Sequence, residues 1–136
     1  MIENCAPLIR TMIFISGDSL EHAALTQIFE ISPSEIGAKG QLGTNGKTIH
    51  SETYWKYSKD IYDYSISDAL KSLLVEILPH KEHFNEYVKA KELEVCLICN
   101  VTIIEDRPIY QIEKEVINML SSIDAEFIMD IFDYSD

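Results

Sequence analysis

Residues 93–104, Leu-Glu-Val-Cys-Leu-Ile-Cys-Asn-Val-Thr-Ile-Ile, constrain the fold more than any other segment. Alternate residues of a strand point to opposite faces. Leu93, Val95, Leu97, Cys99, Val101 and Ile103 therefore make one wholly apolar side. Glu94, Cys96, Ile98, Asn100, Thr102 and Ile104 make a mixed one. A strand this long and apolar belongs in the middle of a sheet, with its apolar side roofed by other elements.

The rest of the chain supplies the neighbours and the roof. Residues 9–15 are rich in β-branched side chains, stop at Ser16-Gly17-Asp18, and read as a buried strand. Ser19 is placed to cap a helix over residues 20–30, with Leu20, Ala24, Leu25 and Ile28 on one stripe. Residues 31–47, with glycines at 37, 40, 43 and 46, read as a loop. Residues 50–61 read as a second strand, with Trp55 and Tyr57 on one face and Tyr54 on the other. The lone Trp55 is expected to anchor that strand in the core.

Ser67 is the expected cap of a helix whose stripe is Leu70, Leu73, Leu74, Ile77 and Leu78. Pro79 must interrupt it, having no N–H to donate, before it continues to Val88. Pro108 is expected to open a third helix carrying Ile112, Val116, Met119, Leu120 and Ile123. Residues 127–132 return as a last strand. The order β-α-β-α-β-α-β predicts an α+β two-layer sandwich: a mainly antiparallel four-stranded sheet with helices on one face, ferredoxin-like in flavour. With 136 residues, 46% of them hydrophobic, the chain suits a single domain over 1–136.

Charge narrows the function. The net charge is −12, and residues 91–136 hold eleven acids against three bases. Such a surface repels a phosphate backbone, so nucleic acid is excluded as a partner. No apolar run approaches the roughly 20 residues of a membrane span, so no membrane partner is expected. The N-terminus carries no basic and apolar leader pattern, Cys5 follows no apolar run, and three cysteines make poor disulfide arithmetic. A cytoplasmic setting is expected.

Most tempting motifs fail on spacing. Cys96-Leu-Ile-Cys99 lies within a strand, where residues three apart face opposite ways, so it reads as two structural thiols. Gly46-Lys47-Thr48 ends a glycine-rich stretch, but Gln41 stands where a phosphate loop needs glycine. His80 and His83 match no zinc-protease pattern. His22 and His50 are single. Ser16, Ser19 and Ser65 sit in no nucleophile elbow. No catalytic residue, metal ligand or cofactor is assigned.

Two surfaces survive. If the polar sides of the strands coincide, Arg10, Asn100, Thr102 and Asp130 share the sheet face left bare by the helices. That would be a shallow polar binding face, or simply a half-wetted sheet. Asp124, Glu126, Asp133 and Asp136, with Asp130 among them, have no base between them in sequence and form a candidate acidic patch. A patch of this kind would steer a basic protein partner.

Several residues together resemble a bacterial family, domain of unknown function 4279. The shared features are Phe29-Glu-Ile31-Ser-Pro33-Ser34, Lys39-Gly40, the isolated Trp55, the leucine-rich helix over Leu70 to Leu78, and the closing Asp130-Ile131-Phe132. The resemblance implies a small α+β domain without established activity. Through members that neighbour bacterial toxin systems, it also implies an immunity role. The expectation is a non-enzymatic domain neutralising a basic protein. The alternatives are a small-molecule or catalytic domain on the open sheet face, or a structural, homodimerising module.

Overall fold

A computed structural model describes residues 5–43, 46 and 49–135. The elements in chain order are strand β1 (Leu8–Ser16), helix α1 (His22–Phe29), strands β2 (Glu35–Gly37) and β3 (Tyr54–Tyr62), and helix α2 (Ile66–Ile77). A 3-10 turn (Leu78–His80), helix α3 (Lys81–Lys91), strand β4 (Glu94–Ile103), helix α4 (Lys114–Ser122) and strand β5 (Glu126–Asp133) follow. The strands form one mixed sheet in the order β2-β3-β1-β4-β5. All pairings are antiparallel except β4 with β5, which run parallel and are joined across α4.

β1 and β4 alternate as their patterns require. Ile9, Ile13 and Ile15 of β1 and Val95, Leu97, Cys99, Val101 and Ile103 of β4 are buried on one face. Ile66, Leu70, Leu73, Leu74 and Ile77 of α2 close over them, joined by Leu25 and Phe29 of α1, Phe84 of α3, and Val116 and Leu120 of α4. Trp55 is fully buried. Its indole N–H donates to Thr26 Oγ1 at 3.2 Å, and its ring lies 5.4 Å from that of Phe29. Burial of aromatic rings of this size dominates the energetics of a small core.

The expected four-stranded, ferredoxin-like sheet is corrected to five strands with a parallel edge. β2 lies inside the segment read as a loop: three residues are too few to show an alternating pattern. It forms because Glu35, Ile36 and Gly37 pair with Lys56, Trp55 and Tyr54. Gly37 is required there, since a Cβ would come within 2.3 Å of the Tyr54 ring.

The helix starts also differ from expectation. Ser65, not Ser67, caps α2, accepting the Asp68 N–H at 3.1 Å. Ser67 is buried instead, donating to the Gln111 carbonyl and accepting the Glu113 N–H. No side chain caps α1, whose N-cap is Glu21 rather than Ser19. α4 starts at Lys114 and not at Pro108, because the segment after Pro108 is held extended: Ile109 N–H donates to the Tyr64 carbonyl at 2.7 Å. Pro79 does divide the central helix, as its missing N–H demands. Among the described residues, no helix is long and apolar enough to cross a membrane.

Candidate functional site

The sheet face away from the helices is built by register. Across it, Asp60, Arg10, Asn100 and Asp130 form one row, and Tyr62, Leu8, Thr102 and Phe132 the next. Arg10, Asn100, Thr102 and Asp130 therefore do share a face. They do not form one cluster. Arg10 turns to β3, where Nε and Nη2 donate to the two Asp60 oxygens at 2.7 and 2.9 Å. That hydrogen-bonded guanidinium holds the Asp60 carboxyl below the usual carboxylate range. Asp130 lies two strands away on the other side of Arg10, about 10 Å at ordinary strand spacing. Asn100 Oδ1, between them, is buried without a hydrogen-bond partner.

The remaining rows carry an apolar band. Ser58, Met12, Ile98 and Ile128 make one row, and Lys56, Phe14, Cys96 and Glu126 another. A depression of about 290 Å³ opens over this band, lined by Phe14, Ile98 and Ile128 and by the carboxylates of Glu52, Glu94 and Glu126. Lys56, the other cation on this face among the described residues, is held by Glu35 at 3.2 Å. Glu35 also accepts a hydrogen bond from the Tyr54 hydroxyl, which holds its carboxyl low. Both cations are thus engaged. Among the described residues no ion pair involves Glu52, Glu94, Glu126 or Asp130.

The candidate acidic patch is rearranged by the fold. Asp124 sits at φ 49° in the turn entering β5, and Glu126 begins the strand. Asp133, at the far end of β5, is paired: Arg107 Nη2 donates to it at 2.5 Å, and Ser135 donates through both its backbone N–H and its hydroxyl. Those hydrogen bonds, with the nearby guanidinium, hold the Asp133 carboxyl low. The expectation that no base dilutes these acids is corrected here, because Arg107 reaches Asp133 from the preceding loop. Asp136 lies outside the described residues, as do Lys47 and Thr48 of the glycine-rich motif.

Cys99 faces the core and Cys96 the open face, as alternation demands. Burial pushes the Cys99 thiol up to about 11, and burial together with Glu126 raises that of Cys96. His80 packs edge-on against Phe29, and among the described residues no group of three or more His, Cys, Asp or Glu is placed to hold a metal ion.

Sequence reading set Glu94 on this face with Asn100 and Thr102 but did not count it among the candidate residues, and it missed Asp60 and Glu52 altogether. Alternation along β3 and β4 assigns Asp60 and Glu94 a side, but only register sets them beside Arg10 and Glu126. Glu52 arrives from the segment preceding β3 and has no periodic signal at all.

Fold and surface define an α+β protein with one helix-covered and one bare sheet face, the bare face carrying an acid-lined apolar band. Residues 8–134 match the model of the family described as Domain of unknown function (DUF4279). The chain belongs to that family. No curated protein and no solved structure matches it.

Proposed function

We propose that this protein is a non-enzymatic binding domain that captures a basic protein on the open face of its sheet. The observation that carries the reading is the charge arrangement there. Arg10 and Lys56 are each neutralised by a neighbouring carboxylate, while Glu52, Glu94, Glu126 and Asp130 surround apolar side chains and pair with no cation among the described residues. An apolar centre with an unbalanced acidic rim is complementary to a basic, partly apolar protein surface. Neutralising a basic toxin, the immunity role suggested by the family resemblance, is one form such capture takes. We assign the protein to the cytoplasm, a reducing compartment in which thiols such as those of Cys96 and Cys99 persist.

The test is capture from extracts of the source cell at low and high salt, comparing the natural chain with Glu94→Gln/Glu126→Gln/Asp130→Asn. A basic protein retained at low salt, released as salt rises, and lost by the triple variant is the expected result. Identical retention by both chains, insensitive to salt, would show that these acids serve solubility alone.

A further inference from the structure

The two edges of the sheet are guarded very differently. β2 is only three residues long, and a short edge strand is a poor template for further pairing. β5 is eight residues long, pairs with β4 in unbroken register, and contains neither lysine nor proline. Ile128, Ile131 and Phe132 along it are 44%, 47% and 46% exposed. Long, regular, apolar edges are the ones that accept another strand.

The direction of its free groups follows from the pairing. Tyr134 N–H, just past β5, donates to the Ile103 carbonyl at 2.8 Å. In a parallel pair, one residue turns both N–H and C=O to the neighbour and the next turns both away. The even-numbered residues therefore face β4, and Phe127, Met129, Ile131 and Asp133 present their backbone groups outward. On the open face, the side chains beside an added strand would be Glu126, Ile128, Asp130 and Phe132 in turn.

We propose that β5 is a strand-addition edge for an extended segment of a basic protein, whose residues on the open-face side alternate basic and apolar. Basic residues would stand opposite Glu126 and Asp130, and apolar ones opposite Ile128 and Phe132, with the pattern legible in either strand direction. A second copy of the chain is a poor occupant. Glu126 and Asp130 enter no ion pair among the described residues and β5 itself holds no base, so copies paired through this edge would crowd like charges along it. The same acids that discourage self-pairing select a cationic strand. The inference rests on the basic-partner reading above and specifies its geometry.

The probe is a synthetic peptide alternating Lys-Thr-Ile-Thr, added to the full chain labelled with nitrogen-15. Amide exchange is expected to slow at Phe127, Met129, Ile131 and Asp133 and not at the even-numbered residues. Glu126→Lys/Asp130→Lys should weaken this peptide roughly tenfold and favour its Glu-for-Lys counterpart. Ile131→Pro removes an outward donor, a position where an edge strand tolerates proline, and should abolish addition. Two peptides N-methylated on the two alternate sets of residues test the same hydrogen bonds with the protein unaltered, and the one methylated on the set that faces β5 should fail to bind. Salt-sensitive binding that leaves the β5 amides unprotected, or that survives N-methylation in both alternate sets, would overturn strand addition while leaving the basic-partner reading intact. Concentration-dependent protection of the same amides without peptide would overturn it in favour of a homodimer. Absence of binding to this peptide, with basic-protein capture retained at low salt, would also overturn it; loss of both would remove the underlying reading.

Discussion

Tyr54 shows how one side chain ties the edge of the sheet to its centre. Its ring stacks on Phe14 at 5.0 Å, meets His50 edge-on at 5.4 Å, and occupies the space left by Gly37. Burial, then the hydrogen bond to Glu35, push its hydroxyl up to about 12. The folded chain therefore holds this proton more tightly than the unfolded chain does. The resulting stability is complete below pH about 10 and is lost as pH rises toward 12. Tyr57, raised by burial and by Glu76, acts in the same direction. Urea unfolding of the natural chain and of Tyr54→Phe at stepped alkaline pH should show a shallower decline for the variant. Parallel declines would mean that Tyr54 contributes nothing to the alkaline loss. Sequence alone put Tyr54 and Trp55 on opposite faces of one strand. It could not show that the glycine beneath the Tyr54 ring lies on a separate strand.

Elements were legible where they are long and periodic. β1, β4 and the stripe of α2 follow directly from alternation and from three- and four-residue spacing. Ends were less legible, because a serine near a helix start has several possible partners. Ser65 caps α2, while tertiary contacts engage Ser67 with the segment before α4. The end of α1 offers a test. Glu30 closes it in the left-handed region at φ 56°, ψ 36°, with its N–H donating to the Thr26 carbonyl at 2.9 Å. A Cβ is unfavourable in that conformation and glycine is the preferred residue. Glu30→Gly should raise stability by about 0.5–1 kcal/mol. A lowered thermal midpoint would show that the Glu30 side chain contributes more than its backbone strain costs.

At the scale of the whole molecule, self-repulsion of a −12 chain opposes compactness. Salt shortens the reach of that repulsion from about 30 Å at 0.01 M to about 8 Å at 0.15 M. The urea midpoint at neutral pH should therefore rise over this range. A fall would mean that surface ion pairs such as Arg10–Asp60 and Arg107–Asp133 outweigh the repulsion. The same scale separates what is local from what is not. The sequence by itself determined the composition of each strand face, the core-facing stripes, the division of the central helix at Pro79 and the acidic character of the last third. All of these depend on spacing along one chain. Strand order, the parallel β4–β5 pairing, the row Asp60-Arg10-Asn100-Asp130 and the reach of Arg107 to Asp133 were decided only by tertiary structure. Each joins residues from separate strands or loops, and nothing in local periodicity distinguishes one pairing of apolar faces from another that buries them equally well.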